Sequence, residues 1–270
     1  MKITTEYIHE KGSGWINEDT LSLNRTLFGV FDGATSLERT TFDNNITGGY
    51  YASSIASDIF TRNNDSLANL ARRANGAIFE KMVEKGVNTS DKSSLWSTSA
   101  AVLKIEKDLI NWVQTGDSLL LMIYEDGSYK IPATGYDQDR ETLLMWREVA
   151  HKTDKKISEV LGDQIRKIRA EMNVTYGVLN GERTYIDFLN SGTEPLEGVN
   201  HILLFTDGLL IPSQAPETEP DFNTFVDIFL KKGLTSLKEH VRSLEASDPD
   251  CRQYPRFKCH DDIAAVAISF

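Results

Sequence analysis

Leu27-Phe28-Gly29-Val30-Phe31-Asp32-Gly33-Ala34-Thr35-Ser36 decides how the chain is read, because a short apolar run there stops at an Asp-Gly pair. An apolar run bounded by glycine predicts a buried strand. A carboxylate at its end, followed by a residue without a side chain, sets negative charge and an approachable backbone at the rim of a sheet. The arrangement recurs. His201 to Phe205 runs into Thr206-Asp207-Gly208, and His260-Asp261-Asp262 leads into the apolar run Ile263 to Phe270. Gly116-Asp117-Ser118 lies between two further apolar segments. Asp-Gly alone is a common turn dipeptide. Repeated at the ends of several apolar runs, and joined by Asn17-Glu18-Asp19 ahead of the alternating Thr20-Leu21-Ser22-Leu23, it points to one shared acidic site.

Outward from this stretch, Lys2 to Glu10 alternates loosely as an edge strand, and Leu27 to Phe31 is a buried one. Ile46, Tyr51, Ile55 and Ile59 recur at helical spacing, with Gly48-Gly49 inside the pattern permitting close packing. Asp65-Ser66 caps a second helix with the face Leu67, Leu70, Ala71, Ala74, Ile78 and Met82, ended by Gly86. The two helices are expected antiparallel on one sheet face. From Ser97 the period becomes that of strands: Ser97 to Leu103, Leu109 to Val113, Leu119 to Tyr124 and, after the turn Glu125-Asp126-Gly127-Ser128, Tyr129 to Ile131. These predict an antiparallel meander. Residues 139 to 173 are helical, with the stripe Ile157, Val160, Leu161, Ile165, Ile168 and Met172. Short strands are expected at Thr184 to Phe188 and Ile202 to Phe205, then two amphipathic helices through Phe222 to Phe229 and Leu234 to Leu244, and a last strand at Ile263 to Phe270. Helix pairs before and after a run of strands give an α+β class, a four-layer α-β-β-α sandwich of two mainly antiparallel sheets flanked by helix pairs. Without repeat, linker or low-complexity tract, residues 1–270 read as a single domain.

A chain of 270 residues is within the range of one large α/β domain, and 40% hydrophobic and 26% charged content is ordinary for a soluble globular protein. The formal net charge of −11 argues against a nucleic-acid partner, which calls for a basic face. No apolar run approaches a membrane span, and Met1 to Glu6 lacks the apolar core of a signal peptide. The two cysteines, Cys251 and Cys259, form no disulfide framework, so a cytoplasmic location is expected. Trp15, Trp96, Trp112 and Trp146 are expected as core or half-buried anchors.

Clustered carboxylates with backbone carbonyls are the ligand set of hard cations such as Mg²⁺ or Mn²⁺. Packed together, they repel and raise each other's pKa unless cations neutralise them. Two such ions about 4 Å apart can clamp a phosphoryl group during in-line attack. No Cys-x-x-Cys or His-x-x-x-His spacing supports zinc, no Gly-x-Ser-x-Gly a serine hydrolase, and no Gly-x-x-x-x-Gly-Lys a P-loop. The five histidines are scattered; His260, beside Asp261, is the one placed to support the acidic site.

The ordered set Asn17-Glu18-Asp19, Val30-Phe31-Asp32-Gly33, Ser97-Thr98, Gly116-Asp117-Ser118, Leu204-Phe205-Thr206-Asp207-Gly208 and Asp261-Asp262-Ile263 resembles the metal-dependent protein phosphatase 2C family (PPM-type serine/threonine phosphatases), as a divergent bacterial-type member. The likeness runs from residue 12 to the C-terminus. It implies a β-sandwich flanked by paired helices. The implied activity is hydrolysis of phosphoserine and phosphothreonine by a metal-bridged water, without a covalent phosphoenzyme. By the same resemblance Asp32 bridges two Mg²⁺ or Mn²⁺ ions and the carbonyl of Gly33 binds one. Glu18 holds the second ion, directly or through water, with Asp19 in support, and Asp207 and Asp261 complete the shell of the first. Asp117 serves a third ion, with Asp207 its partner there. Asp32, Asp207 and Asp261 form the implied catalytic set, and residues 135 to 175 fall where the family carries a flap.

Departures accompany the likeness. Many members carry an arginine, which grips the substrate phosphate, where this chain has Gly14; Lys11 or Arg39 is the substitute at hand. Ala34-Thr35 replaces the usual His-Gly or Met-Gly, Leu119 follows Gly116-Asp117-Ser118 where arginine is usual, and Asp262 stands for the usual Asn. The expected partner is a phosphorylated protein or a small phosphoester, met by a monomer without nucleic acid or membrane. The alternatives are a catalytically weak regulatory binding module and a phosphatase of a small phosphorylated metabolite.

Overall fold

The strand that begins at Leu27 does not stop at Asp32. It continues through Gly33 to Ala34, with Asp32 opposite Ser99 and Gly33 opposite Thr98. The expectation of a run ending at Asp-Gly is corrected: the neighbouring strand starts at Ser97 and offers ladder partners past the pair. The computed structural model describes residues 3–37, 40–62, 64–133 and 137–270. Its strands in chain order are β1 (Thr4–Glu10), β2 (Thr20–Leu23), β3 (Leu27–Ala34), β4 (Ser97–Glu106), β5 (Leu109–Thr115), β6 (Leu119–Tyr124), β7 (Tyr129–Lys130), β8 (Asn190–Pro195), β9 (Val199–Phe205) and β10 (Ile263–Ser269). The helices are α1 (Gly48–Arg62), α2 (Leu67–Glu84), α3 (Arg140–Val149), α4 (Ile157–Val160), α5 (Gly162–Ala170) and α6 (Phe222–Ser247). One sheet has the order β2-β3-β4-β5-β8 and the other β1-β10-β9-β6-β7, every pairing antiparallel.

Strand alternation sorts the side chains into layers. On β3, Phe28 and Val30 enter the core between the sheets, with Ala101, Leu103, Ile110, Leu120, Met122, Ile202, Leu204, Ala264 and Val266. Leu27 and Phe31 point the other way, into the layer formed by α1 and α2. Leu119, Leu121, Leu203, Phe205 and Ala265 face α6 through Phe225, Val226, Leu234 and Leu237. The result is the expected α-β-β-α order. A fully buried Leu, Val or Phe contributes about 2 kcal/mol, so this alternation fixes the register of each strand. Ser66 caps α2 by accepting the amide of Asn69, and Gly86 follows its end with φ +70°.

Several expectations are corrected. Gly116-Asp117-Ser118 is not a hairpin within a meander: β5 leaves one sheet there and β6 enters the other. Gly116 has φ +73°, the left-handed conformation this crossing needs. Thr184 to Phe188 lies in a 3₁₀ helix, and the strand is the polar Asn190–Pro195, an edge strand lacking the alternation that announces one. The stripe from Ile157 to Met172 does not form one helix, because Leu161, with φ −111° and ψ 24°, leaves the helical conformation between α4 and α5; Ile157 and Leu161 pack with Trp146 and Ala150, whereas Met172 joins the core under α1 and α2. The two amphipathic helices expected near the C-terminus are present, because α6 is divided at Gly233, whose φ 81° and ψ 176° are not helical. Gly48 and Gly49 open α1 instead of lying inside it, and a Cβ on Gly48 would overlap the Trp96 ring. Trp96, Trp112 and Trp146 are buried, but Trp15 is 78% exposed. Arg39 and residues 135 and 136 lie outside the described residues.

Candidate active site

The alternation that builds the core between the sheets also builds the site. At one end of the sandwich the inward-facing positions turn from apolar to polar. One inward step beyond Leu21 is Asp19; beyond Val30, Asp32; beyond Ala101, Ser99; beyond Leu120, Ser118; beyond Leu204, Thr206; beyond Ala264, Asp262. Six strands from two sheets thus deliver their polar ends to one place. Asp117, Asp207 and Asp261 flank those positions on the same connections.

Hydrogen bonds tie the two sheets together here. Thr206 donates to Asp19 Oδ2 at 2.7 Å and accepts the amide of Ala264 at 3.0 Å. The hydroxyls of Ser99 and Ser118 share a bond of 2.6 Å. Asp262, 4% exposed, accepts the Gly12 amide at 2.7 Å and the Glu18 amide at 2.9 Å, clamping the loop that carries Glu18 and Asp19. Glu18 is braced from α1: Ser53 donates to its carbonyl, and the Gly49 amide donates to Thr35, which donates to the Glu18 carboxylate. Gly33 sits where a Cβ would lie 2.3 Å from the Gly49 carbonyl oxygen and 2.5 Å from that of Glu18. No other residue fits that approach.

The charges are strongly coupled. Asp32 is held well above the ordinary carboxylate range, first by desolvation and then by Asp19, Asp207, Asp117 and Asp261. Desolvation and the charges of Asp261, Asp117 and Asp19 raise Asp207 likewise, against a hydrogen bond with Asp32 that lowers it. Asp19 is raised by burial and by Asp261 and Asp262, with its Thr206 bond acting the other way. The cluster is therefore a set of carboxylates whose ionisation requires added positive charge. Lys258 supplies some: its Nζ lies 2.6 Å from Asp261 Oδ1.

The segment after β7 contributes side chains that sequence reasoning did not single out. Gln138 donates to Asp117, and Asp139 is pushed up to about 7 by desolvation and by the charges of Asp117 and Asp137. Arg169 on α5 donates to the Thr35 carbonyl at 2.5 Å and to Ser97 Oγ at 3.2 Å.

Of the residues named from the sequence, Asp19, Asp32, Asp117, Asp207 and Asp261 act on one another electrostatically, and the Gly33 backbone passes between Glu18 and α1. The Glu18 carboxylate is turned to Thr35. His260 does not offer its ring to the carboxylates: Nδ1 lies 2.9 Å from Glu245, and its carbonyl accepts from Ser13. Lys11 donates to the Gly14 carbonyl at 3.1 Å. The inward parity of Asp262 and Thr206, both in quoted motifs, is the signal that could have marked them; Lys258, Gln138 and Arg169 carry none. The donor chemistry, all oxygen and mostly anionic, suits a hard divalent ion. Among the described residues, no three acidic, histidine or cysteine side chains are disposed to enclose an ion together.

No protein-family model matches the chain, and no curated protein matches it in sequence. Solved structures do match. The Mycobacterium tuberculosis serine/threonine phosphatase PstP/Ppp superposes with a TM-score of 0.62 at 14% identity, over 99% of this chain and 98% of that one. PppA of Pseudomonas aeruginosa, described as a key regulatory component of the T6SS, gives 0.62 at 14% identity over 100% and 99%. The serine-threonine phosphatase 2C from Toxoplasma gondii gives 0.62 at 14% identity over 99% and 95%. The PstP catalytic domain has also been solved with two manganese ions. The chain has the fold of these phosphatases, from end to end.

Proposed function

We propose that the protein is a metal-dependent phosphoprotein phosphatase acting on phosphoserine and phosphothreonine, with residues 1–270 one catalytic domain and residues 135 to 175 a flap-like insertion. The observation that carries the proposal is the convergence of Asp19, Asp32, Asp117, Asp207 and Asp261 from both sheets, at the end where alternation turns polar. The likeness in fold to serine/threonine phosphatases, one of them solved with two manganese ions, supports it.

Asp32, Gly33 through its carbonyl, Asp207 and Asp261 would hold one Mg²⁺ or Mn²⁺ ion. Asp32 would share a second with Glu18, supported by Asp19, and Asp117 would serve a third. Bound there, the ions supply Lewis acidity toward a phosphoryl oxygen and lower the pKa of water. The chain's own residues do the positioning. Thr206 fixes Asp19 from the opposite sheet, Asp262 fixes the loop that presents Glu18, and Thr35 orients the Glu18 carboxylate. Without a histidine at Ala34, no side chain of that position donates a proton to the leaving group. Two free cysteines fit work in the cytoplasm, and no helix among the described residues is long and apolar enough to cross a membrane. We take the working form as a monomer whose partner is the phosphorylated substrate, not nucleic acid or a membrane. Gly14 and Ala34 favour a second possibility, a weakly active regulatory module or a phosphatase of a small phosphorylated metabolite.

The test compares phosphothreonine and phosphoserine peptides with small phosphoesters, in Mn²⁺, Mg²⁺ or chelator, for wild type and Asp32→Asn. Metal-dependent peptide hydrolysis lost in the variant is expected. Hydrolysis of small esters alone selects the metabolite phosphatase, and Mn²⁺ binding with no hydrolysis of any ester selects the regulatory module.

A further inference from the structure

Among the described residues Lys258 is the basic side chain that forms an ion pair with one of the clustered carboxylates, at 2.6 Å from Asp261 Oδ1. The pair is partly exposed, with the lysine side chain 42% exposed and that of Asp261 34% exposed. The backbone that presents it is fixed. Arg256 bonds the Asp248 carboxylate and the Glu245 and Cys259 carbonyls, and Cys251 Sγ lies 3.3 Å from the Lys258 carbonyl. Trp146 of α3 donates to the Cys251 carbonyl at 2.7 Å, docking the helical segment on the same stretch.

Among the described residues, three other basic side chains near this end already have hydrogen-bond partners outside the clustered carboxylates. Arg242 binds Glu10, Glu245 and the Asp261 carbonyl; Arg169 binds the Thr35 carbonyl and Ser97; Lys11 binds the Gly14 carbonyl. An ammonium has three donors, and Asp261 takes one from Lys258. The segment also lies against the loop of Gly12 to Gly14, where the Ser13 amide and hydroxyl both donate to the His260 carbonyl.

We propose that Lys258 and a divalent ion compete for Asp261, and that the ammonium released when the ion binds becomes a ligand of the substrate's phosphoryl oxygens. The proposal rests on the metal-dependent phosphatase assignment above. Lysine suits the exchange because it is a compact charge on a flexible stem, able to move from carboxylate to phosphate without repacking. It predicts effects of opposite sign on two ligands from one substitution, which a merely structural residue would not give.

The experiment titrates Mn²⁺ into metal-free wild type, Lys258→Met and Lys258→Arg by calorimetry, then measures inhibition by inorganic phosphate in saturating Mn²⁺. Removing one unit charge from a half-exposed pair should tighten Mn²⁺ binding about tenfold in Lys258→Met. The same variant should need about tenfold more phosphate for half-inhibition, while Lys258→Arg, which keeps the charge, should show less of both changes than Lys258→Met. Unchanged or weaker Mn²⁺ binding in Lys258→Met, or unchanged phosphate inhibition, would overturn the exchange while the phosphatase assignment stands. A folded wild type that binds no Mn²⁺ would overturn both.

Discussion

Asp262→Ala isolates the clamp that sets the loop of Glu18 on the end of β10. The side chain is buried and accepts two backbone amides, from Gly12 at 2.7 Å and Glu18 at 2.9 Å. Hydrogen bonds to a charged acceptor contribute about 1.5–3 kcal/mol each, and a donor left unpaired in a buried place carries its desolvation penalty. The gross loss is therefore about 3–5 kcal/mol. One effect opposes it, because removing a carboxylate relieves repulsion on Asp19. Asp262 stands behind burial and Asp261 among the causes that raise Asp19, and the relief is taken as smaller than the loss of two charged-acceptor hydrogen bonds. A net loss of about 2–4 kcal/mol remains, or a melting temperature lower by roughly 5–15 °C for a chain of this size. Asp262→Asn removes the charge but keeps one acceptor, and should fall about midway. The assay is thermal unfolding of the metal-free protein at neutral pH. An Asp262→Ala protein melting at or above wild type would refute the reasoning, since it would mean that charge relief outweighs the clamp.

Gly33→Ala puts a methyl group 2.3 Å from the Gly49 carbonyl oxygen and 2.5 Å from that of Glu18, backbone on both sides. Denaturant unfolding should show a loss of about 3 kcal/mol or more. Gly14→Arg has room, its Cβ meeting nothing nearer than the Ile16 carbonyl oxygen at 3.4 Å. It should leave the melting temperature within about 1–2 °C of wild type and lower KM for a phosphopeptide several-fold, by adding a phosphate-binding cation at the loop. The site also sets a pH dependence. Asp19, Asp32 and Asp207 are raised and Asp139 is pushed up to about 7, so between about pH 4 and pH 7 the folded chain keeps protons the unfolded chain has released. Their contribution to stability is present at the acid end of that window and is lost as pH rises through the folded values. Bound Mn²⁺ needs the ionised forms, so the gap in melting temperature between Mn²⁺-loaded and metal-free protein should widen from about pH 5 to pH 8. A gap independent of pH would contradict the coupling.

The layer order was legible because Leu27 to Phe31, Leu119 to Tyr124 and Ile263 to Ser269 are apolar enough to announce buried strands, and the helix faces repeat at 3.6 residues. The site was legible in its carboxylates for the same reason: an Asp at the edge of an apolar run is visible without the fold. What escaped depends on chain partners far away. Asn190–Pro195 forms a strand because Leu109–Gln114 offers an edge, not because its own residues alternate. The crossing at Gly116 needed knowledge of which sheet β6 joins. Trp15 looked like an anchor by its size, but the loop it sits on is held by Gly12, Ser13 and Glu18 through backbone bonds, and the indole is left in solvent. Lys258 and Arg169 are ordinary surface charges in a sequence, and only the packing of α3 to α5 and of the segment before β10 brings Lys258 to Asp261 and Arg169 to the Thr35 carbonyl.

The most direct test of the central claim is p-nitrophenyl phosphate hydrolysis by wild type and Asp207→Asn, with Mn²⁺, with Mg²⁺ and with chelator. The account predicts turnover that needs the metal and falls at least about a hundredfold in the variant, with both proteins folded. Turnover that persists in chelator, or that Asp207→Asn leaves intact, would contradict it.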